Sequence, residues 1–211
     1  MSNTLLKGHE YKFIMTPEYN RNDIVAFKSI DFLSGESKVS VMRIIGIPGD
    51  TIKYFEGIPY VNNVKVYLPP TSKRFYLTNT KNVDDLIAFS KNIIYQTTDT
   101  LILNIDSFQK IQITRLAITL SEFSSSQKIK YSFLKFKSNN SHDFFEQITI
   151  PKSLAPIDSN IVLHSGSWNT ILQAQKCYFL IGDNIQETFD SRYIGLVPHS
   201  YIIGKISFEA K

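Results

Sequence analysis

Short runs of alternating hydrophobic and polar residues dominate the first third of the chain and predict β-strands. Turn-forming residues separate these runs, notably Pro48-Gly49-Asp50 and the pair Asn62-Asn63. Short strands joined by tight turns are typical of β-hairpins. The strands predicted in this part cover residues 11–15, 23–27, 38–45, 51–55, 58–61 and 64–67.

The run 38–45 carries two different rows of side chains, because successive residues of a strand point to opposite faces of the sheet. We therefore expect Arg43 on one face and Met42 on the other. One row contains Val39, Val41, Arg43 and Ile45, and the opposite row contains Ser40, Met42 and Ile44.

The pattern changes after Pro69-Pro70. Residues 83–94 have apolar side chains at helical spacing, with two Asp residues near the start and a Lys near the end, and this predicts a helix. Residues 101–105 favour a strand. The pattern of residues 111–136 fits a helix or a strand equally well.

From about residue 148 the β pattern returns, so the predicted fold class is mostly β, with a β-rich core interrupted by a mixed α/β insertion. The predicted division assigns residues 1–68 and 148–211 to the core and residues 69–147 to the insertion. The strands predicted in the last part cover residues 161–163, 177–181 and 201–208.

Composition describes an ordinary globular protein and argues against several classes of ligand. The 211 residues are 43% hydrophobic and 20% charged, with a net charge of +4. The basic residues are scattered, so the sequence predicts no nucleic-acid binding, although anionic surfaces such as lipid headgroups are mildly favoured. There is one cysteine, no His-x-x-x-His spacing and no glycine-rich phosphate loop, so we expect no metal and no cofactor.

The chain contains no apolar run of the ~20 residues that cross a bilayer. Its N-terminus also lacks the basic-then-apolar pattern of a signal peptide. Two interpretations stay open: a soluble protein, or a protein whose upstream membrane anchor is absent from this sequence. Whether Met1 is the native start is left open as well.

Two distant motifs carry the clearest functional signal. The first runs from Val41 to Asp50, and the second comprises Gly182-Asp183-Asn184, then Asp190-Ser191-Arg192-Tyr193 and Gly195. Together, in this order, they resemble two boxes of the type I signal peptidases, which are membrane-anchored proteases with a Ser–Lys dyad. The resemblance implies a signal-peptidase-like β-rich core and a place in the bacterial cell envelope, at the extracytoplasmic face of the cytoplasmic membrane. It also implies an extended peptide or exported preprotein as partner, with contact to the membrane surface.

The resemblance also implies which residues build the site. Arg43 should pair with Asp183, and Asp190 with Arg192. Thr188 stands where the family has a Ser whose hydroxyl orients the catalytic Lys. The residues that match the site scaffold are Arg43, Gly46, Pro48, Gly49, Asp50, Gly182, Asp183, Asn184, Asp190, Ser191 and Arg192.

The reactive residues of the family are missing from this sequence. Met42 occupies the position of the Lys base, and a thioether cannot take a proton from a hydroxyl. When Thr4, Leu5 and Gly8 are aligned with the N-terminal box, no residue stands at the position of the nucleophilic Ser, and Ser2 lies two places too close. Lys38 is ~13 Å from position 42 along the strand, and no His stands at the Lys position.

The leading prediction is therefore a signal peptidase-like protein that is non-catalytic and binds extended segments of exported proteins by adding them as a strand. An alternative is an active, membrane-anchored serine endopeptidase whose anchor and nucleophile are absent from this chain. A third is a soluble interaction protein that acts through residues 69–147. The sequence leaves enzymatic activity and oligomeric state open.

Overall fold

The computed structural model describes residues 5, 9–30, 36–55, 58–123, 145–150, 176–185 and 188–207. The strand predicted for residues 161–163, most of the N-terminal box and part of the ambiguous run 111–136 lie outside these residues. The described part is mostly β and consists of antiparallel sheets, which confirms the predicted fold class.

The strands lie close to the predicted runs, and those at 51–55, 58–61 and 177–181 have the predicted bounds. In chain order they are β1 (Lys12–Ile14), β2 (Ile24–Ile30), β3 (Ser37–Gly46), β4 (Thr51–Phe55), β5 (Ile58–Val61), β6 (Val64–Lys65), β7 (Arg74–Asn79), β8 (Ile93–Gln96), β9 (Thr100–Ile105), β10 (Ser121–Glu122), β11 (Phe145–Thr149), β12 (Cys177–Ile181), β13 (Val197–Pro198) and β14 (Ile202–Ser207).

A six-stranded sheet in the order β1-β14-β2-β3-β12-β13 brings the two motifs together. β3 and β12 are neighbours, with Ile44 opposite Leu180 and Arg43 opposite Ile181. Met42 and Ile44 pack into an apolar cluster on one side, whereas Ile45 belongs to a cluster on the other. This confirms the predicted alternation of faces along the run 38–45.

A second sheet, in the order β11-β4-β5-β6, contributes Ile52, Tyr54 and Val61 to the same cluster as Ile45. The tight turn between β5 and β6 is formed by Asn62 and Asn63, whose φ angles are 51° and 65°. Asn tolerates this left-handed conformation better than most residues, so the predicted hairpin turn is present.

The third sheet, in the order β10-β7-β9-β8, is built entirely from residues 74–122. The helix predicted for residues 83–94 is a nine-residue 3₁₀ helix at Asp84–Asn92, and the last two residues of the prediction belong to β8. Val83, Leu86 and Phe89 recur every third residue and pack on one cluster. That spacing suits the three residues per turn of a 3₁₀ helix.

Two elements of this region were absent from the prediction. β7 was not predicted, and helix α1 (Ser107–Thr114) overlaps only the start of the ambiguous run. Asp106 begins α1 with a capping box: its side chain accepts from Gln109 N, and the Gln109 side chain accepts from Asp106 N. The Asp-x-x-Gln spacing was the sequence signal for this start.

Candidate functional site

Arg43 and Asp183 form a buried, two-pronged ion pair that joins β3 to the loop after β12. Arg43 Nε donates to Asp183 Oδ1 at 2.9 Å, and Arg43 Nη2 donates to Oδ2 at 2.8 Å. Arg43 Nη1 donates to the carbonyl of Asn22 at 3.0 Å, so the loop before β2 is tied to the same guanidinium. The pair expected from the resemblance is present, and its planar geometry fixes the direction of both side chains.

Asp190 and Arg192 form the second expected pair, within one short turn. Arg192 Nε and Nη2 donate to the two carboxylate oxygens at 2.9 and 3.0 Å. Asp190 also accepts from the backbone N–H of Gly182 at 3.3 Å, and Arg192 donates to the carbonyl of Ile185. Burial alone would lower the pKa of Arg192, but the adjacent Asp190 charge outweighs it, and the pKa is raised.

Helix α2 (Ser191–Ile194) begins at Asp190, which caps it by accepting from Arg192 N. Ser191 is buried and accepts a hydrogen bond from Leu180 N at 2.9 Å. The side chains of Asp190, Ser191 and Arg192 therefore form hydrogen bonds with backbone atoms of β12 and of the Gly182–Ile185 loop. All three side chains are buried.

Asp50 closes the first motif and ties three turns together. Its carboxylate accepts from Arg21 Nε at 2.8 Å, from Ile47 N at 2.9 Å and from Asn62 Nδ2 at 2.9 Å. Burial raises the pKa of Asp50, but these donors together outweigh it, and the pKa is lowered. In the adjoining turn Gly49 has a φ of 95°, which favours glycine.

At Gly46 close packing, rather than backbone conformation, limits the space for a side chain. A Cβ at this position would lie 2.7 Å from Cδ1 atoms of Ile52 and Ile150. Pro48 stands two residues later in the turn between β3 and β4. These residues of the first motif shape the connection between the two sheets.

Met42 lies on the opposite face of β3 from Arg43 and is only 6% exposed. It faces Val25 of β2 and belongs to an apolar cluster that also contains Phe27, Ile44 and Ile194. At the position to which the resemblance assigns a Lys amine, this chain therefore has the thioether of Met42 in an apolar environment. The exchange is mild for packing, because Met is a flexible apolar side chain.

Thr188 reaches the same end of the β3–β12 pair. A Cβ at Gly182 would lie 2.1 Å from Thr188 Oγ1 and 2.6 Å from its Cβ, so Thr188 packs directly on Gly182. Since Arg43 is opposite Ile181, continuing this register by one residue brings Gly182 level with Met42. The two positions to which the resemblance assigns the Lys base and its orienting hydroxyl, Met42 and Thr188, are thus both next to Gly182.

Comparison with known proteins shows which family the chain belongs to. The sequence profile of the family described as "Signal peptidase, peptidase S26" matches residues 1–210. The chain belongs to this signal peptidase family.

The most similar relatives of this family member include Signal peptidase I of Buchnera aphidicola subsp. Baizongia pistaciae, which is 29% identical over 93% of this chain and 56% of the relative. Signal peptidase I of the Schizaphis graminum subspecies is 26% identical over 90% of this chain and 55% of the relative. The chain thus spans about half the length of the curated relatives it matches. A solved signal peptidase I from Enterococcus faecalis V583 is 18% identical, with a TM-score of 0.38, over 92% of this chain and all of that chain.

Several site contacts of this signal peptidase family member had no specific sequence signal. No sequence motif connects Arg21, the partner of Asp50, with the site, and none connects Lys73 or Asn104 of the middle region with it. Of the aligned residues of the N-terminal box, Thr4 and Gly8 lie outside the described residues. Within the described ranges, no group of acidic, His or Cys side chains is arranged to hold a metal ion, and no helix is long and apolar enough to cross a membrane.

Proposed function

We propose that this chain is a non-catalytic signal peptidase-like protein of the bacterial cell envelope that binds extended segments of exported proteins. One observation carries the proposal: Met42 is buried in an apolar cluster at the position of the family base. Around it, the Arg43–Asp183 and Asp190–Arg192 pairs are retained with bidentate geometry. The chain therefore contains the ion pairs expected around the site together with a residue that cannot accept a proton at the position of the base.

The chemical consequence follows from the role of the base. In an active member, a Lys surrounded by apolar side chains has a lowered pKa, so that its neutral amine can activate the Ser hydroxyl. The thioether of Met42 has no such proton affinity. Loss of one member of such a catalytic unit typically lowers kcat by ~10⁴-fold or more.

Binding does not require the base. An extended peptide can add to a sheet edge through main-chain hydrogen bonds. We place the peptide at the candidate site, beside the Gly182–Asn184 loop that follows β12 and is bound by Arg43 of β3. The ion pairs support this binding role, because they hold the loop in place without taking part in proton transfer.

The test combines a binding assay and a cleavage assay on the full chain. The probe is a fluorescent peptide in which an apolar stretch precedes small residues. We expect saturable binding without any cleavage product, for the unmodified chain and for Met42→Leu, which keeps the site apolar. A product formed by the unmodified chain above the buffer rate overturns the non-catalytic assignment, and absence of saturable binding overturns the binding role.

A second candidate function is an active, membrane-anchored signal peptidase whose nucleophile and anchor precede this sequence. The retained Thr188 hydroxyl beside Gly182, together with the chain's span of about half of its relatives, favours this alternative. The native coding sequence upstream of Met1 tests it. A Ser directly before Met1 and an apolar span before that Ser support this candidate, whereas a stop codon there excludes it.

We also propose that residues 1–68 and 148–211 form the signal-peptidase-like core and that residues 69–147 form an inserted α/β unit. The separate sheet of residues 74–122, with apolar clusters drawn from residues 75–123, supports this division. Expression of the core with residues 69–147 replaced by a short linker tests the boundary. Cooperative unfolding of that protein is the expected result, and its failure to fold contradicts an independent core.

A further inference from the structure

We propose that Asn104 is a positioning residue through which the middle sheet (β7–β10) holds the Gly182–Asn184 loop of the candidate site. The inference concerns loop geometry directly, and its consequence for peptide binding rests on the proposed function. Among the described residues, the backbone of Lys73, the residue before β7, and the side chain of Asn104 on β9 each donate a hydrogen bond to this loop.

The backbone contact fixes Asp183. Lys73 N donates to the carbonyl of Asp183 at 3.0 Å, and Lys73 and Asn184 form a parallel β-bridge. The carboxylate of the same Asp183 is held by Arg43. The main chain of Asp183 is therefore held by Lys73, the residue before β7. Its side chain is held by Arg43 of β3, which directly follows Met42 in the sequence.

The side-chain contact fixes Asn184. Asn104 lies on β9, is 5% exposed, and its Nδ2 donates to Asn184 Oδ1 at 3.4 Å. A hydrogen bond of this length is weak by itself. Asn104 is buried and Asn184 is half-buried, so replacing Asn104 by an apolar residue removes a contact that holds Asn184 and gives the loop more freedom to move.

Asn104 is itself held by a relay of amide side chains. Gln109 Nε2 donates to Asn92 Oδ1 at 3.2 Å, and Asn92 Nδ2 donates to the carbonyl of Asn104 at 3.0 Å. Gln109 is in turn fixed by its capping box with Asp106 at the start of α1. The relay connects the helix of the middle region to the Asn184 side chain in three successive hydrogen bonds.

This arrangement gives the middle region a defined role at the site. Gly182 packs on Thr188, Asp183 binds Arg43, and Asn184 is held from the middle sheet. If the contacts from Lys73 and Asn104 are lost, the loop is attached on one side only. Local opening of the loop then becomes easier without global unfolding.

The first experiment measures amide hydrogen exchange of Gly182, Asp183 and Asn184 in the full chain carrying Asn104→Leu, which keeps the branching and the number of heavy atoms of the side chain. We expect exchange in the loop to accelerate about five- to tenfold, as loss of a single part-buried hydrogen bond predicts. The matched control is Asn82→Leu, because Asn82 Nδ2 donates to Thr78 Oγ1 at 2.9 Å in the same region and does not contact the loop. Equal loop exchange in the two variants overturns the proposal.

A second pair of variants avoids any change in a buried side chain. Lys73→Pro removes the N–H that donates to Asp183, whereas Lys73→Ala keeps it. We expect faster loop exchange in Lys73→Pro only. Acceleration in neither variant, or the same acceleration in both, contradicts a role for this backbone contact.

A peptide-binding measurement distinguishes a positioning role of Asn104 from a purely structural one. We expect Asn104→Leu to weaken peptide binding about five- to tenfold relative to Asn82→Leu, when the two variants are compared at matched thermal stability. The double variant Asn104→Leu/Asn184→Leu should bind the peptide no more weakly than Asn104→Leu alone. Unchanged affinity despite faster loop exchange overturns the positioning role toward the peptide. If the unmodified chain binds no peptide, the proposed function fails, but the exchange experiment still decides the loop contact.

Discussion

Met42 and Arg43 are consecutive residues of β3 whose side chains enter two different environments on opposite faces of one sheet. Met42 is enclosed by apolar side chains, and Arg43 is bound to Asp183. The strand thus carries the position expected for the family base on one face and a buried ion pair on the other. Because the two faces pack against different residues, a substitution on one face can leave the geometry of the other unchanged.

The Arg43–Asp183 pair should be costly to break from one side. Arg43→Met leaves the Asp183 carboxylate buried without its charge partner, and we expect the free energy of unfolding to fall by about 3–5 kcal/mol. Urea unfolding at neutral pH measures this loss. The control is Lys205→Met, since Lys205 and Asp23 form a more exposed pair at 3.7 Å, worth about 0–1 kcal/mol.

The double variant Arg43→Met/Asp183→Leu removes both charges and should recover much of the lost stability. A single variant no less stable than the Lys205→Met control contradicts the structural importance of the pair. A double variant less stable than Arg43→Met shows instead that the other contacts of Asp183 dominate.

Gly182 should not tolerate a side chain. A Cβ there lies 2.1 Å from Thr188 Oγ1, so Gly182→Ala forces the Thr188 segment to move, and we expect a loss of about 1–3 kcal/mol. Thermal unfolding measures the effect. Thr188→Gly in the Gly182→Ala background removes the colliding atoms and should restore part of the stability, whereas no restoration means that the strain lies elsewhere.

Alternation of polar and apolar residues was sufficient to predict β3, β4 and β5 and to separate Met42 from Arg43, because a period of two is a local property of the chain, whereas β12 was predicted from a continuous apolar run. It did not find β7, whose residues Phe75, Tyr76 and Leu77 are apolar without alternation because both faces of that strand are covered.

Tertiary contacts were predicted only where a motif implied them. The pairs Arg43–Asp183 and Asp190–Arg192 followed from the resemblance and are present. The contact of Asn104 with Asn184 joins residues 80 positions apart and depends on how two sheets meet. The residues near Asn104 and Asn184 in the sequence do not determine how the two sheets pack, so this contact could not be predicted from local patterns.

His199 should make stability depend on mild acid. Burial, and secondarily the charge of Lys176, lowers the pKa of His199 below its usual 6.5, and Tyr178 Oη lies 3.3 Å from His199 Nδ1. The unfolded chain therefore binds a proton at a higher pH than the folded chain. Stability from this group is present above about pH 6.5 and is lost as the pH falls from 6.5 toward the lowered pKa of the folded state.

We expect His199→Gln to remove this part of the pH dependence. Thermal unfolding between about pH 7.5 and pH 5 measures it, with His9→Gln, a substitution of an exposed histidine, as the control. The unmodified chain and His9→Gln should lose stability in parallel as the pH falls, and His199→Gln should lose less. Three parallel curves contradict the assignment to His199.

Met42→Lys should recreate a buried amine and reveal its environment through stability. The apolar neighbours of Met42 disfavour the ammonium form, so the pKa of the introduced Lys should be well below 10.4. The unfolded chain then binds more protons than the folded chain between the lowered pKa and about 10.4. Stability of this variant should therefore increase as the pH rises through that interval.

The measurement is urea unfolding from about pH 6 to pH 10, with two matched controls. Met42→Leu keeps the position apolar, and Met15→Lys adds the same charge at a methionine that is 79% exposed. We expect a stability gap between Met42→Lys and Met42→Leu that narrows as the pH rises, and no such gap for Met15→Lys. A gap that stays constant with pH means that the introduced amine reaches solvent, in which case position 42 lacks the apolar enclosure that a family base requires.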